Sequence, residues 1–453
     1  MKRINKFLGI AVLLFTMSAC EKNLDITPTQ SIDEGQALRT SSDVEAALIG
    51  AYSDLGDADV YGGNIMLISE LLGGSNLFNW TGTFQGLTQL YNKSTPVNNV
   101  FVRDTWLDSY QVINDVNNVL SALDVVLPAR KARVEGEAKF IRGAVYFELV
   151  RLYAKSWNDG NPANNDGVPL ILTPTRAPLN ESSNVARAKV SEVYAQAIKD
   201  LTEAEALLPA AQTNNVFASR YAAAAMLARI YLQQGNYEQA TAAANRVITA
   251  NRYRLVETDA VFPFNSQNLS EDTESPAEYI FSIAVTSSAG VNELNTYFST
   301  TGRGDIDLRD AFVAQFEPDD QRLDLIYSDG GLRTAKYDMV YGNVPVVRLA
   351  EMYLIRAEAN FRLGTAVGAS PLSDVNQIRT RAGLQPLTAG QLTLASILKE
   401  RRLELAFEGA VLHDIKRLQG SIGPYAWNAQ RLVLPIPERE RQVNPNLTQN
   451  EGY

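Results

Sequence analysis

The chain has 453 residues, and 51 acidic against 41 basic side chains give it a formal net charge of −10 at pH 7. An acidic surface repels phosphate groups, so we do not expect a nucleic-acid partner. The chain has one cysteine and one histidine, which excludes an internal disulfide and argues against a His/Cys zinc site or a catalytic triad with a spare base. The length allows two domains or one large one.

The first 19 residues have the pattern of a secretory leader. Three basic residues precede an apolar run from Phe7 to Phe15, which is too short to span a bilayer because a spanning helix needs about 20 residues. The segment Met17–Cys20 resembles a lipobox, in which the cysteine is acylated and becomes the new N-terminus. We therefore predict a signal peptide over 1–19, lipidation of Cys20 and, because the three basic residues are lost, a mature net charge of −13.

A polar tether and a first helix follow the leader. Residues 20–40 contain Pro28 and show no helical or strand period, which favours a lipidated tether. The segment Ser42–Glu45 resembles a capping box and predicts a helix that continues through Leu55. Residues 57–89 contain six glycines with aromatic residues between them, and because glycine interrupts regular structure we predict a long surface loop there.

Three amphipathic or buried helices are predicted next. Apolar residues recur at helical spacing over 102–123 and 190–208, and the intervening stretch 133–153 is apolar on most sides, which predicts a buried helix. Trp106 lies on the apolar face of the first of these helices, so we interpret it as a core residue. Trp157 and Trp427 are interpreted as packing residues from their positions beside a buried helix and the C-terminal tail.

The stretch Ser219–Ile248 predicts a helical hairpin. Ser219 and Asn236 are suitable N-caps, and Gly235 supplies the left-handed residue that ends the first helix. The spacing of small and aromatic residues matches a tetratricopeptide unit, whose repeat is about 34 residues. Such a unit cannot bury both faces alone, so neighbouring helices are expected. An ordinary helical hairpin is the alternative.

The second half begins with another irregular region, 251–343, which mixes turns, short β-like pieces and loop aromatics. Helix resumes over 346–364, which we interpret as a second tetratricopeptide-like first helix, and its partner is predicted to start at Ser370. A further helix is predicted over 394–408. The tail has prolines at 435, 437 and 445 and cannot be helical throughout.

These segments together resemble the SusD/RagB family of outer-membrane nutrient-binding lipoproteins. Four pieces carry the resemblance in the right order: the leader with Cys20, GEAKFIRGAVYFELVRLYAKSW, RLAEMYLIRAEANFRLG, and the closing LPIPERERQVNPNLTQNEGY; ILKERRLELAFEGAVLHDIKR is also typical. The resemblance implies a mainly α fold, with degenerate tetratricopeptide-like hairpins and long loop insertions. It divides the mature chain into an N-terminal SusD-like region, 41–250, and a C-terminal RagB/SusD-like region, 251–453.

The resemblance also implies a function and partners. Family members sit on the outer face of the outer membrane, over a SusC-like TonB-dependent transporter, and hand it oligosaccharides or, in some members, peptides. We therefore expect a lipid-anchored, non-enzymatic glycan-binding protein without a cofactor. A peptide-binding member and a periplasm-facing assembly scaffold are the alternatives. A glycosidase is a third reading, supported only by the number of carboxylates, since that chemistry needs two of them about 5 to 10 Å apart.

Candidate ligand contacts come from the two irregular regions. Sugar rings present flat C–H faces that stack on exposed aromatic rings, while their hydroxyls need amides, carboxylates or arginine. The candidates in the glycine-rich region are Asn76, Phe78, Asn79, Trp80 and Phe84, and those in the second region are Tyr297, Phe298 and Arg303.

Two other groups of residues are interpreted as structural. His413 lies in VLHDIKR among apolar residues, so we predict that it packs on the core. Asn158 and Asp159 with Asp166, and Asp305 with Asp307, carry oxygen ligands that could hold calcium. Solvated loops are the favoured explanation of these residues, and no metal site is predicted.

Overall fold

The computed structural model describes residues 38–175, 184–262, 275–288 and 292–453. The predicted signal peptide, the lipidation site at Cys20 and nearly all of the tether lie outside these residues. Helices dominate the described chain, and the prediction of a mainly α fold with helical hairpins and irregular insertions is confirmed. No helix among the described residues has both the length and the apolar character needed to cross a bilayer.

The N-terminal half is built from helices that pack pairwise on a shared apolar core. Its first elements are α1 (Ser41–Leu55), α2 (Asn64–Gly73), β1 (Phe78–Trp80), α3 (Gln85–Tyr91), α4 (Val100–Ser121), α5 (Pro128–Tyr153) and α6 (Val190–Leu207). Helix α5 is buried over most of its length, as predicted, and packs against α4 and α6. A buried ion pair joins α5 to α6, since the Arg142 guanidinium donates to both Asp200 oxygens at 2.8 Å.

The predicted hairpin forms helices α7 (Arg220–Gln234) and α8 (Tyr237–Thr249). The Ser219 hydroxyl accepts the Ala222 N–H, Gly235 is left-handed at φ 71°, and the Asn236 side chain caps α8. All three local signals are therefore confirmed. Helix α7 is buried on most sides rather than on one face, because α6, α8 and further elements surround it.

The C-terminal half contains short elements followed by a second hairpin. In order, these are α9 (Thr258–Val261), β2 (Tyr279–Ile283), α10 (Glu293–Phe298), β3 (Ile306–Leu308), α11 (Asp310–Val313), β4 (Ile326–Ser328), β5 (Leu332–Thr334), β6 (Val344–Arg348), α12 (Leu349–Leu363), α13 (Pro371–Arg381), α14 (Leu394–Glu404), α15 (Val411–Arg417), β7 (Ser421–Ile422), β8 (Tyr425–Ala426) and α16 (Glu438–Val443). The strands form four antiparallel pairs, β1–β3, β2–β6, β4–β5 and β7–β8.

The second hairpin repeats the construction of the first and packs against it. Gly364 ends α12 in the left-handed conformation, and Ser370 caps α13 ahead of Pro371. Helix α12 packs along α8, so the two hairpins form a stack. His413 is 3% exposed on α15, which confirms its predicted place in the core.

Two sequence-based expectations in the N-terminal half are wrong. Helix α1 is capped by Thr40, whose hydroxyl accepts the Asp43 N–H, so the capping box begins two residues before Ser42. The predicted surface loop over 57–89 contains α2, all ten residues of which are buried, and also β1 and α3. A helix that is buried on all sides shows no amphipathic period. Because glycines also flank this helix, the sequence pattern indicated a loop.

Candidate functional site

Two irregular segments that are far apart in sequence meet at the β1–β3 pair. The register places Phe78 opposite Leu308, Asn79 opposite Asp307, and Trp80 opposite Ile306. Beyond the strand, the Thr81 N–H and hydroxyl both donate to the Asp305 carbonyl, at 2.8 and 2.9 Å. The pairing therefore brings the glycine-rich region of the N-terminal half beside the loop that follows α10.

Three of the predicted aromatic residues come together there. The ring of Tyr297 lies 5.9 Å from that of Trp80 and 6.2 Å from that of Phe84, measured between centroids. Phe84 is 41% exposed, Trp80 is half-buried, and Tyr297 is 5% exposed. Burial and the nearby Glu293 raise the pKa of the Tyr297 phenol, so it keeps its proton at neutral pH.

Arg303 completes this surface. Its guanidinium carbon lies 4.6 Å from the Phe84 ring centroid, within the range of a cation–π contact. The same group donates to Asp305 at 2.7 Å and to the Thr83 hydroxyl at 3.0 Å. The hydrogen bond to Asp305 raises the pKa of Arg303 and fixes the direction of its side chain. We call Trp80, Phe84, Tyr297 and Arg303 the aromatic platform.

Local hydrogen bonds and a close glycine contact hold the Trp80 indole in place. Its Nε1 donates to the Thr88 hydroxyl at 2.9 Å, and that hydroxyl donates to the Phe84 carbonyl at 3.0 Å. Gly82 lies beneath the ring, because a Cβ atom there would be 2.3 Å from Trp80 Cζ2 and 2.7 Å from Asp305 Cγ. A glycine is therefore required at position 82 for the indole and the carboxylate to pack as they do.

Phe78 and Phe298 do not belong to this surface, which corrects the prediction for these two residues. Both are fully buried, with ring centroids 6.4 Å apart, in an aromatic cluster that also contains Phe407 and Tyr337. Strand alternation places Phe78 and Trp80 on the same face of β1, so the difference in their exposure comes from the aromatic cluster packed around Phe78 and not from the alternation.

The two predicted asparagines are placed differently. Asn79 is half-buried in β1 and pairs with Asp307; because successive side chains of a strand point to opposite faces, it lies on the other face from Trp80. Asn76 is exposed and lines a separate cavity of about 350 Å³ between α2, α14 and α15. Of the eight predicted contacts, the structure thus brings together four, the residues of the platform.

Carboxylates surround one edge of the platform. Oxygen atoms of Asp57, Asp59 and Asp108 all lie within 4.8 Å of one another, and Glu293 and Asp104 lie beside them. Burial, with some contribution from the nearby Asp108, raises the pKa of Asp59 to about 6. We call Asp57, Asp59, Asp104, Asp108 and Glu293 the acidic rim.

Three of the carboxylates considered for calcium have protein partners. Asp166 pairs with Lys189 at 2.7 Å, and Asp305 pairs with Arg303. Asp307 accepts the Leu332 N–H at 2.8 Å. Each of these three carboxylates therefore makes a structural contact within the protein.

The other three tryptophans lie outside the platform. Trp106 is 2% exposed and packs against Tyr153 with centroids 5.0 Å apart, which confirms its core position. Trp157 is half-buried against Tyr194, also at 5.0 Å. Trp427 is half-exposed, and its backbone N–H donates to the Gly420 carbonyl at 3.1 Å.

Sequence analysis did not identify the supporting residues or the acidic rim. Thr83, Thr88 and Asp305 position the platform through hydrogen bonds whose partners are set by folding, so no local pattern marks them. The rim had a weak signal in the run DLGDADVYGG at 54–63, where three aspartates precede a glycine pair. Its other members come from α4 and α10.

The stacked helical hairpins place the chain among helical-repeat proteins. Two family models match the chain. The model described as starch-binding, associating with the outer membrane, matches residues 32–232, and the SusD family model matches residues 333–433. The chain belongs to the SusD family.

Similar proteins extend the match over nearly the whole chain. SusD-like protein P2 of Formosa agariphila is 27% identical, and the alignment covers 98% of each chain. The starch-binding protein SusD of Bacteroides thetaiotaomicron is 31% identical over 124 residues, which is 24% of this chain and 22% of that protein.

Solved structures share the fold. One solved structure is a Bacteroides vulgatus protein that is provisionally described as sugar-binding. It superimposes on this chain with a TM-score of 0.81 at 26% identity, over 92% of this chain and 99% of the other. A laminarin-binding SusD-like protein superimposes with a TM-score of 0.72 at 24% identity, over 92% of this chain and all of the other.

Proposed function

We propose that this protein binds oligosaccharides at the outer face of the outer membrane and delivers them to a SusC-like TonB-dependent transporter. The observation that carries the proposal is the aromatic platform, which two distant loops build on a helical-repeat scaffold. Family membership, the starch-binding family model and the laminarin-binding neighbour support a glycan as ligand. The predicted lipid on Cys20 would supply the anchor.

The chemistry of the platform suits a sugar chain. Phe84 and Trp80 offer apolar ring surface to the C–H faces of pyranose rings. Arg303 and Thr83 lie beside these rings and can donate hydrogen bonds to hydroxyl groups. Because Arg303 is already held by Asp305, its remaining donors are oriented before a ligand arrives. We assign the site to binding and not to catalysis.

We expect Phe84→Ala to weaken glycan binding by about tenfold, which is about 1.4 kcal/mol, and Trp80→Ala by at least as much. Each change removes ring surface that would lie against the sugar. Isothermal titration against laminarin, maltose, xylose and mannose oligosaccharides of about six units identifies a ligand and then measures the loss.

The matched control is Tyr237→Ala. Tyr237 lies on the hairpin with the Arg362 guanidinium 5.0 Å from its ring centroid, so it forms the same kind of arginine–aromatic contact elsewhere in the molecule. We expect this variant to bind like the wild type. Unchanged binding in both platform variants would show that the ligand site lies elsewhere, and binding of peptides but no glycan would favour the peptide-binding alternative.

Protease treatment of intact cells tests the location. We expect the protein to be degraded in intact cells and to co-purify with a TonB-dependent transporter from detergent extracts. A Cys20→Ala variant should be missing from the outer-membrane fraction, because the acylated residue is lost. Protection of the wild type until the outer membrane is permeabilised would instead support the periplasm-facing scaffold.

A further inference from the structure

The acidic rim adjoins the platform through α10. Glu293 and Tyr297 are four residues apart on this helix, so their side chains lie on one face, one turn apart. Tyr297 packs between Trp80 and Phe84. The Glu293 carboxylate therefore lies within one helical turn of the aromatic surface.

The loop before α2 brings further carboxylates to the same place. The Glu293 N–H donates to the Gly62 carbonyl at 3.1 Å, and a Cβ atom on Gly63 would lie 2.4 Å from the Glu293 Cβ. This close contact seats the segment that carries Asp57 and Asp59 directly on α10. Asp108 of α4 joins them, with its carboxylate within 4.8 Å of both.

The cations among these carboxylates are already paired. Arg103 binds its neighbour Asp104 at 2.6 Å, and Arg303 of the platform binds Asp305 at 2.7 Å. Arg309 lies at the opposite end of β1, where its Nε donates to the Phe78 carbonyl at 3.4 Å. Negative charge therefore exceeds positive charge along the edge of the platform that carries Tyr297.

We infer that the aromatic platform selects uncharged oligosaccharides and rejects those that carry carboxylate or sulfate groups. The inference rests on the proposed function and specifies the ligand class of the same site. An anionic sugar on the platform would lie within one or two helical turns of the rim, a distance at which 0.1 M salt screens charges only partly. A neutral sugar would bind the same rings without this repulsion.

The test compares two forms of one glycan. The best neutral hexose ligand of the oligosaccharide panel (laminarin, maltose or mannose oligosaccharides) is oxidised at C6, which converts primary hydroxyls to carboxylates and leaves the backbone unchanged. Titrations are made with the full-length protein at pH 7.5 in EDTA, so that no divalent cation neutralises the rim. At 10 mM NaCl we expect the oxidised form to bind at least tenfold more weakly than the neutral form.

Salt and charge variants separate repulsion from a steric effect of oxidation. At 1 M NaCl, where the Debye length falls from about 30 Å to about 3 Å, the difference should shrink below about threefold. At low salt, the double variant with Asp108→Asn and Glu293→Gln should also reduce the difference in affinity between the oxidised and the neutral form. Its affinity for the neutral form should equal that of the wild type. Asp57→Asn provides a second variant, since its amide oxygen can still accept the Asp59 N–H.

The outcomes distinguish this inference from the proposed function. Equal or tighter binding of the oxidised form at low salt overturns the inference and leaves glycan binding in place. A difference that persists at 1 M NaCl and in the charge variants also overturns it, because sterics would then explain the discrimination. If no glycan of the panel binds, the proposed function fails, and the inference fails with it.

Discussion

Replacement of Arg348 by alanine is expected to lower the free energy of unfolding by about 3 to 5 kcal/mol, because it removes the cation that three buried carboxylates share and leaves their charge incompletely compensated. Arg348 ends β6 and is 1% exposed. Its guanidinium donates to Glu278 at 2.6 Å, to Glu404 at 2.5 Å and to Glu408 at 2.7 Å. One cation thus links β2, α14 and the turn that follows α14.

The neighbouring cations cannot replace it. Lys336 reaches Glu408 at 2.6 Å and Arg322 reaches Glu404 at 3.3 Å, but each also holds other acceptors. Removing Arg348 therefore leaves Glu278 facing mainly Arg381, at 3.5 Å. In a packed interior these side chains cannot move far enough to replace the contacts that Arg348 made.

Urea denaturation followed by circular dichroism measures the loss. Arg348→Met keeps most of the volume and loses the charge, so it should cost nearly as much as Arg348→Ala if charge dominates. Arg246→Ala is the control: Arg246 binds Glu205 at the surface, and its removal should cost at most about 1 kcal/mol. A loss for Arg348→Ala no larger than for this control would contradict the expectation.

Local signals in the sequence were sufficient for the helical hairpins. Ser219, Gly235 and Asn236 act within one turn of the backbone that they cap, so their roles can be seen in adjacent residues. Ser370 marks the second hairpin in the same way. The cap at Thr40 was misplaced by two residues, because Thr40, Ser41 and Ser42 all offer a hydroxyl and only folding selects one.

The candidate site depends on contacts that no local pattern contains. Trp80 and Tyr297 are more than two hundred residues apart, and the β1–β3 register that joins their segments is set by the core around Phe78. Residue type and loop position favoured Trp80 among the loop aromatics but could not tell which of the others face inward. Burial then separates Phe78 and Phe298, which face inward, from Phe84, which faces solvent.

Glu70 carries the second large prediction, which concerns pH. It lies on α2 and is fully buried; its Oε1 accepts the Gly409 N–H at 2.8 Å, while Oε2 has no hydrogen-bond partner. Burial raises the pKa of this carboxyl from 4.5 to about 8. The folded state therefore binds a proton more tightly than the unfolded state, in which the pKa is near its ordinary value.

The sign of the effect follows from that difference. Below pH 4.5 both states hold the proton, and Glu70 contributes no pH dependence. Between pH 4.5 and 8 the unfolded chain ionises first, so Glu70 lowers the free energy of unfolding by about 1.4 kcal/mol for each unit of rising pH. Above pH 8 Glu70 is ionised in both states, and the loss in the free energy of unfolding that it causes is constant. Burial lowers the pKa of Lys416 from 10.5 to about 7, so this lysine acts in the opposite direction between pH 7 and 10.5 and overlaps the Glu70 effect only between about pH 7 and 8.

Glu70→Gln removes the ionisation and keeps an oxygen to accept the Gly409 N–H. We expect its stability relative to the wild type to rise between pH 5 and 9, reaching a gain of roughly 3 to 5 kcal/mol at pH 9. Lys416 is present in both proteins, so its contribution cancels in the difference. Asp124→Asn, in which the replaced carboxylate lies fully in solvent, controls for the loss of one negative charge. A pH-independent difference between Glu70→Gln and the wild type would mean that Glu70 is ionised in the folded protein, with water or Lys336 satisfying the charge that the structure leaves unpaired.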